Sequence, residues 1–251
     1  MSPSSRLLAV IPARGRSKGL PGKNTRPFLG LPLIAHTIMF ARLCPEIDRC
    51  IISTDSAEIA DVAKRYAADV PFMRPAELAS DEAEMWPVLR HALDYVERQE
   101  SRPYDFLALL DPTSPGREPS DVATGLERLL QTPDADGIIG VSEPDFNPIW
   151  HCVVERDGWM ADLMEEGSNF ERRQEVPPVY RINGSLYIWR TGFLRSEPTS
   201  WRRMGKHLIH QIPEARAMSF DTLAEFQRAQ VLVKSGLIQF PWLAGVESHV
   251  E

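Results

Sequence analysis

The sequence comprises 251 residues, of which 43% are hydrophobic and 25% are charged, and it carries a formal net charge of −7. This composition is typical of a globular domain and excludes an intrinsically disordered chain. The acidic balance argues against a nucleic-acid-binding protein, which would present a basic surface. No segment is apolar over the roughly 18 residues of a membrane span, and the apolar run before Pro12 is too short for a secretion signal. The sequence therefore predicts a cytoplasmic protein with neither a nucleic-acid nor a membrane partner.

Strands and helices are predicted to alternate along the first 142 residues. Short apolar runs indicate buried strands, and segments with helical spacing of apolar residues follow them, the second helix capped by Ser56. In chain order we predict a strand at 7–11, a helix at 33–43, a strand at 50–53, a helix at 58–67, a strand at 70–73, a helix at 85–98, a strand at 105–110, a helix at 122–130 and a strand at 137–142. This alternation is typical of an α/β fold with a mainly parallel sheet and helices on both faces.

The regular alternation ends after Ser142. Residues 144–178 combine prolines, glycines and mixed charges without a clear period, although 149–155 resembles a strand. A further strand at 185–189 and a closing helix at 223–233 follow. We therefore predict one domain over residues 1–251, with residues 144–178 as an arm outside the main sheet.

A loop rich in glycine and basic residues follows the first predicted strand. Five basic residues and no acidic residue lie between Arg14 and Arg26. Loops after the first strand of parallel sheets commonly bind phosphates, and glycines let backbone N–H groups approach them. A P-loop is excluded because Ser17 occupies the position five before Gly22 where glycine is required, and a GxGxxG dinucleotide motif is absent. The loop predicts a phosphate site of another kind, although a simple connecting turn remains the alternative.

Several short motifs follow one another along nearly the whole chain. They are Ile-Pro-Ala-Arg at 11–14, Ser-Lys-Gly-Leu-Pro-Gly-Lys-Asn at 17–24, Ser-Thr-Asp at 53–55, Arg-Pro-Ala-Glu-Leu-Ala at 74–79, Pro-Thr-Ser-Pro at 112–115, Arg-Arg-Gln at 172–174 and Asn-Gly-Ser-Leu-Tyr at 183–187. As an ordered set they resemble the acylneuraminate cytidylyltransferases, which make CMP-sialic acid and its legionaminic and pseudaminic relatives. Kdo cytidylyltransferases have a similar first loop, but Lys23 followed by Asn24 favours the nonulosonic acid branch.

The resemblance implies both a fold and a reaction. The expected fold is a Rossmann-like, mainly parallel sheet of the nucleotidyltransferase type, in a homodimer whose arm at 144–178 reaches the neighbouring subunit. The expected reaction transfers CMP from CTP to the anomeric hydroxyl of an acidic, sialic-type sugar with Mg²⁺ as cofactor, for cell-surface polysaccharide biosynthesis. A cytidylyltransferase for Kdo or a phosphonate, or a catalytically weak nucleotide-binding protein, are the alternatives.

The resemblance also assigns the site residues. Lys23, Arg172 and Asp221 are the implied catalytic residues, and Arg172 and Arg173 are implied to complete the partner's active site. Asp221 is the implied metal ligand, since it corresponds to the second acid of the family's Asp-x-Asp motif. Binding of CTP and the sugar is assigned to Arg14, Ser17, Lys18, Asn24, Arg74, Asp111 and Arg173.

Three positions depart from the family pattern. Ser219 stands where the family usually has its first metal-binding aspartate, which bears on the number of metal ions and motivates the catalytically weak alternative. Asp111 replaces a glutamine found before Pro-Thr-Ser-Pro in many sialic acid enzymes. Met85 replaces a small polar residue near the nucleotide. The last two positions bear on the choice of sugar.

Each assigned residue type also has an ordinary structural explanation. Asp221 lies at a predicted helix start and could cap it. The pair Arg172–Arg173 lies among glutamates and could be a solvated charge run. Arg74 could form an ion pair with Glu77, and Asp111 could serve as a turn residue.

Overall fold

The computed structural model describes residues 5–16, 19–196 and 201–244. The strands are β1 (Leu7–Pro12), β2 (Pro27–Phe28), β3 (Leu31–Pro32), β4 (Arg49–Ser53), β5 (Phe106–Leu109), β6 (Gly137–Ser142), β7 (Val153–Arg156), β8 (Trp159–Asp162), β9 (Arg181–Arg190) and β10 (His207–Gln211). The helices are α1 (Leu33–Arg42), α2 (Ala57–Arg65), α3 (Met85–Glu100), α4 (Pro119–Gln131), α5 (Pro148–His151), α6 (Thr191–Ser196) and α7 (Leu223–Lys234). None of the helices in these ranges is long and apolar enough to cross a membrane.

Six strands form the main sheet in the order β10-β6-β9-β5-β1-β4. β1 pairs in parallel with β4 and β5, and β10 pairs in parallel with β6. β9 runs antiparallel to both of its neighbours, β5 and β6. The predicted mainly parallel α/β fold is confirmed. Because ligands of such sheets bind at the carboxyl ends of the strands, the loops after β1, β4 and β5 face one site.

The central strand β1 is buried along its whole length, which explains its continuous apolar sequence. Alternate side chains point to opposite faces of the sheet, so Ile11 packs in the core beneath α1, α2, α4 and α7, whereas Val10 packs in the core beneath α3 and α6. Burying one such aliphatic side chain stabilises the fold by about 1.5 to 3 kcal/mol. Packing on both faces fixes the position of β1, and with it the loop at its carboxyl end.

Most predicted elements are confirmed, and two are wrong. Ser56 caps α2 as predicted, because its hydroxyl accepts from the backbone N–H of Ile59 at 3.4 Å. The predicted strand at 70–73 forms only one isolated bridge, between Met73 and Thr54 just after the edge strand β4, and Pro71 lacks the N–H that a ladder needs. The predicted strand at 149–155 begins instead as helix α5, since the Asn147 side chain caps it, and becomes strand only at β7.

Within residues 144–178, β7 and β8 form a two-stranded sheet separate from the main one. Asp157 and Gly158 join them with positive φ values of 53° and 83°, as a tight hairpin turn requires. Trp159 and Met160 on β8 are each 78% exposed. An exposed pair of large apolar side chains on a protruding hairpin favours contact with another surface.

The segment after α7 packs on α1, where Trp242 contacts the buried side chain of His36. The indole N–H of Trp242 donates to Nδ1 of His36 at 3.1 Å, so Nε2 of His36 carries the proton that it donates to the Phe28 carbonyl at 2.8 Å. Burial lowers the pKa of His36 from 6.5 to about 4. The fold therefore holds this imidazole in its neutral form.

We expect this histidine to make the protein less stable in acid. In the unfolded chain His36 binds a proton near pH 6.5, whereas in the folded chain it binds one only near pH 4, so stability falls as pH drops between these values. The total loss is about 3 kcal/mol. Urea unfolding at pH 7.5 and pH 4.5 measures it, and His36→Gln, which cannot titrate, should remove most of the difference. An equal pH dependence in wild type and variant would contradict this account.

Candidate active site

A cleft of about 480 Å³, here called the main cleft, opens at the carboxyl edge of the main sheet. Loops after β1 and β5, the segment leading into α3 and the segment before α7 form its walls. The side chains that line it are Pro12, Arg14, Lys23, Asn24, Arg74, Leu78, Ser80, Asp81, Ala83, Met85, Val88, Asp111, Thr113, Ser219 and Asp221. Six of the ten site residues predicted from the sequence therefore meet at one place: Arg14, Lys23, Asn24, Arg74, Asp111 and Asp221.

The remaining four predicted residues are not part of this wall. Ser17 and Lys18 lie outside the described residues. Arg172 and Arg173 belong to the arm and do not line the main cleft of their own chain. The guanidinium of Arg172, with its side chain 76% exposed, pairs with the Glu175 carboxylate at 2.6 Å. This arrangement fits the solvated charge run, and the predicted role of both arginines in a partner's site stays a prediction.

The basic loop after β1 folds back on the segment before α7. A side chain at Gly19 would place its Cβ only 2.6 Å from the backbone oxygen of Asp221, so this close approach requires glycine. The ammonium of Lys23 lies 3.1 Å from Oδ1 of Asp221, and the lysine side chain is only 13% exposed. Residues 198 positions apart in sequence thus form one corner of the main cleft.

The two ends of the basic loop are tied together at the cleft floor. The amide of Asn24 donates to the backbone carbonyl of Arg14 at 3.3 Å. The backbone N–H of Gly15 donates to Oδ1 of Asp55, the aspartate of the Ser-Thr-Asp motif, at 2.8 Å. Asn24 is largely buried, with 8% of its surface exposed. These bonds give Asn24 a structural role in shaping the loop, in addition to its place on the cleft wall.

Arg74 brings a buried positive charge to the main cleft. Its Nε donates to the Ser53 hydroxyl at 3.0 Å, and its guanidinium also donates to the Ser53 backbone carbonyl. The alternative ion pair with Glu77 is therefore wrong. Burial lowers the pKa of Arg74 to about 10, which still leaves it charged at neutral pH. Since no carboxylate within 4.0 Å pairs with it among the described residues, this cation favours an anionic ligand.

Asp111 combines both of the roles considered for it. Its Oδ1 accepts from the backbone N–H of Thr113 at 2.9 Å and from the Thr113 hydroxyl at 2.8 Å, which forms a turn. It also lines the main cleft. The buried guanidinium of Arg117 donates to the backbone carbonyls of Asp111 and Ser114 and so holds the turn from below.

Sequence reasoning missed two of the charged residues that shape the site. Arg117 is only 1% exposed, and burial lowers its pKa to about 10. Asp81 accepts from the guanidinium of Arg14 at 3.1 Å and lines the same wall. The position of Arg117 immediately after the Pro-Thr-Ser-Pro-Gly run was the available signal, whereas nothing in the local sequence pairs Asp81 with Arg14.

The start of α7 distinguishes the two explanations of Asp221. Thr222 is the capping residue, because its hydroxyl accepts from the backbone N–H of Glu225 and the Glu225 carboxylate accepts from the backbone N–H of Thr222. The carboxylate of Asp221 is not used by the helix and is 70% exposed toward the main cleft and solvent. The proposal that Asp221 merely caps this helix is therefore wrong.

Comparison with known proteins gives the same family as the ordered motifs. A cytidylyltransferase family model matches residues 8–100. The chain is 34% identical over 236 residues to the post-translational flagellin modification protein B of Campylobacter coli, which covers 94% of this chain and 98% of that protein. It is 37% identical over 185 residues to the CMP-N,N'-diacetyllegionaminic acid synthase of Legionella pneumophila, over 73% of this chain and 77% of that protein.

Among solved structures, the fold is similar to that of a CMP:2-keto-3-deoxy-manno-octonic acid synthetase in complex with CTP. The TM-score is 0.69 at 18% identity, over 92% of this chain and 100% of the other. This likeness supports the fold alone, whereas the sequence identity over most of the chain supports the family. The chain belongs to the acylneuraminate cytidylyltransferase family and is a nucleotidyltransferase.

Proposed function

We propose that this enzyme transfers CMP from CTP to the anomeric hydroxyl of a nonulosonic acid, releasing pyrophosphate. The observation that carries the proposal is the convergence of Arg14, Lys23 and Arg74 on one cleft at the carboxyl edge of the sheet. Three cations in one cleft suit a triphosphate, and the relationship to a CMP-N,N'-diacetyllegionaminic acid synthase supports the choice of an acidic sugar as acceptor.

The triphosphate would take the places that carboxylates hold beside two of these cations. Asp81 pairs with Arg14 and Asp221 pairs with Lys23, each at 3.1 Å. The carboxylates of both pairs are exposed, at 47% for Asp81 and 70% for Asp221, so exchanging a carboxylate for a phosphate costs little. Arg74 is already buried and has no carboxylate partner within the described part of the chain, which suits it to bind a group of the nucleotide directly.

The chemical step needs positioning and neutralisation of charge more than covalent catalysis. The acceptor's anomeric oxygen attacks the α-phosphorus, the bond from that phosphorus to the β-phosphate oxygen breaks, and pyrophosphate leaves. Lys23 and Arg14 would stabilise the charge that grows on the leaving group. The proton of the attacking hydroxyl passes to water or to a carboxylate of the main cleft, where Asp221 is available.

The family implies a magnesium ion, and the residues present fit one ion carried by the nucleotide. Asp221 would hold it, since its Oδ2 is bonded only weakly, by the Ser219 hydroxyl at 3.4 Å. In the part of the chain that the structure describes, no group of three or more acidic, cysteine or histidine side chains forms a metal cage. Magnesium often uses one or two carboxylates and keeps its remaining positions for water and phosphate. When bound, the ion would supply further neutralisation of the triphosphate.

A homodimer is part of the proposal. The exposed Trp159 and Met160 of the arm need a partner surface, and a second copy of the chain provides one by symmetry. Arg172 and Arg173 on the same arm would then reach the partner's main cleft and meet the acceptor's carboxylate or the nucleotide's phosphates. A cytoplasmic location and a role in cell-surface polysaccharide synthesis belong to the same proposal.

Pyrophosphate release tests the reaction and the acceptor together. We expect release from CTP and Mg²⁺ with N-acetylneuraminic, legionaminic or pseudaminic acid, and little release with Kdo or an aminoalkyl phosphonate. Reactions without acceptor and with UTP in place of CTP serve as controls. Release with Kdo or the phosphonate alone would overturn the acceptor, whereas CTP binding without release would favour the catalytically weak alternative.

A further inference from the structure

An ion pair that the proposed reaction does not use joins two segments of the chain that lead to the main cleft. The guanidinium of Arg216 donates to Oδ2 of Asp121 at 2.8 Å and to Oδ1 at 3.2 Å, so the contact is bidentate. Nε2 of His210, on β10, lies 3.0 Å from the same Oδ1. The side chain of Asp121 is 5% exposed and that of Arg216 is 16% exposed. Charged side chains are seldom buried this far, so the pair requires an explanation.

The carboxylate of Asp121 connects three neighbouring segments. Although burial disfavours its charge, hydrogen bonds from His210 and Arg216 lower the pKa of Asp121 to about 2, and the group is ionised at neutral pH. Its Oδ2 also accepts from the backbone N–H of Glu118 at 2.7 Å, which completes the capping box of α4. Both oxygens are therefore occupied by the protein, and the charge serves to hold these segments together.

Arg216 belongs to a tight turn, at 213–218, that leads directly into the main cleft. Ala217 has φ of −77° and ψ of 55°, the values of an inverse γ-turn, and the backbone N–H of Met218 donates to the Arg216 carbonyl at 2.8 Å. Asp221, which lines the main cleft, follows this turn within one short segment. A displacement of Arg216 is therefore passed on to Asp221.

The same turn packs against the loop after β5. A Cβ at Gly116 would overlap the backbone oxygen of Arg216, so this approach requires glycine. The Arg216 guanidinium also donates to the Gly116 carbonyl at 3.4 Å. Asp111 and Thr113, earlier in this loop, line the main cleft. Two parts of the cleft wall thus meet at the contact between Gly116 and Arg216.

Geometry explains this ion pair better than stability does. A buried ion pair usually contributes little net stability, because the desolvation of both charges offsets their attraction. A bidentate contact does restrict orientation, since the planar guanidinium matches a carboxylate in a defined arrangement. In this protein that arrangement determines how the segment with Asp221 lies relative to the loop with Asp111.

We propose that Arg216 and Asp121 are positioning residues for the reaction. Their bidentate contact holds the segment that carries Asp221 against the loop that carries Asp111, and so fixes the geometry of the main cleft. This inference rests on the proposed function, in which Asp221 holds the metal ion, and extends it to two residues that are not part of the cleft wall.

The test variant is Arg216→Lys, which keeps the positive charge and loses the bidentate contact. We expect kcat to fall about 10- to 100-fold, as is usual when reacting groups are misplaced by a distant change. The Kd for CTP without metal should change little, because Arg14, Lys23 and Arg74 are intact. Binding of Mn²⁺ to the enzyme–CTP complex, measured by EPR of free Mn²⁺, should weaken about 10-fold. Gly116→Ala, which alters no charge, should give the same pattern.

A matched control separates positioning from general stability. Arg49, at the amino end of β4, pairs with Asp69 and Glu100, each at 2.8 Å, and its side chain is 23% exposed. This ion pair is buried to a similar degree but lies at the edge of the sheet away from the main cleft. Arg49→Lys should lower the melting temperature about as much as Arg216→Lys does, and should leave kcat and Mn²⁺ binding near their wild-type values.

Two results would overturn the positioning role. One is wild-type kcat and Mn²⁺ affinity in both Arg216→Lys and Gly116→Ala, and the other is an equal loss of kcat in Arg49→Lys. Should Arg216→Lys fail to fold, Asp121→Asn takes its place, because it keeps the shape of the side chain and an oxygen to cap α4. The same loss of kcat and of Mn²⁺ affinity is expected from it.

A further measurement separates this inference from the proposed function. If wild type releases no pyrophosphate with any acceptor, the proposed function fails, and amide hydrogen exchange of residues 213–222 decides the positioning role by itself. Faster exchange of this segment in Arg216→Lys, but not in Arg49→Lys, would support it. Unchanged exchange in Arg216→Lys would contradict it, since the segment would then be held without the bidentate contact.

Discussion

Replacing Lys23 with alanine is expected to lower kcat by about 100- to 1000-fold while leaving the protein folded, as is usual when one preorganised charge facing the leaving group is removed. The ammonium of Lys23 is held against the main cleft by its ion pair with Asp221 at 3.1 Å, and its side chain is largely shielded from solvent. A phosphate there meets a charge already in position, so the loss should appear in kcat more than in the binding of CTP. Steady-state pyrophosphate release at saturating CTP measures it.

The control for this variant is Lys64→Ala, which removes an exposed lysine from the outer face of α2. It should leave both kcat and the melting temperature near their wild-type values. The comparison of kcat values is valid only if Lys23→Ala has the same melting temperature as wild type. A well-folded Lys23→Ala enzyme with full turnover would remove this lysine from the mechanism and shift the role to the other cations of the cleft.

Replacing Arg172 with alanine should also lower turnover by about 100-fold, even though this side chain does not line the cleft of its own chain. Its side chain is 76% exposed, and Glu175 in the same turn is its one ion-pair partner among the residues that the structure describes, so its loss should not destabilise the subunit. Activity loss without loss of stability is the expected result if Arg172 acts in a partner's site. Arg156→Ala, on β7 of the same arm, is the matched control.

A mixed dimer tests whether the two subunits share each site. In a heterodimer of one Lys23→Ala chain and one Arg172→Ala chain, one site carries both substitutions and the other carries neither. Two inactive parents should therefore give a heterodimer with about half the wild-type activity. Co-expression with two different affinity tags isolates it. If the heterodimer is as inactive as its parents, Arg172 does not act across a subunit interface.

How far the sequence predicts this fold depends on how local the decisive interactions are. The buried strands β1 and β6 can be predicted from their continuous apolar sequences. A strand of a sheet that is covered on both faces has no solvent-exposed positions, so polar residues do not alternate with apolar ones along it. Ser56 marks the start of α2 because capping is satisfied within one turn. The false strand at 70–73 shows the limit of this method, since a short apolar run beside an edge strand has the same composition whether or not its ladder forms.

Some residues of the candidate site can be recognised from the local sequence, and others only from the tertiary structure. Arg14, Lys23 and Asn24 are apparent from the sequence, because a loop that approaches phosphates needs glycines and cations close together in the chain. Arg117 is not apparent, because an arginine in a loop is ordinarily exposed. Its burial, at 1% exposure, follows only from the packing of the loop after β5 over the core.

By itself the sequence determined the α/β alternation, the glycine-rich basic loop after β1 and the family, since each depends on residue types at fixed local spacing. Only the tertiary structure decided that β9 runs antiparallel between β5 and β6, because strand direction depends on how the arm returns the chain to the sheet. It also decided that Lys23 meets Asp221 and that Asp111 lines the same cleft as this pair. Such contacts join residues far apart in the chain, and no local pattern records them.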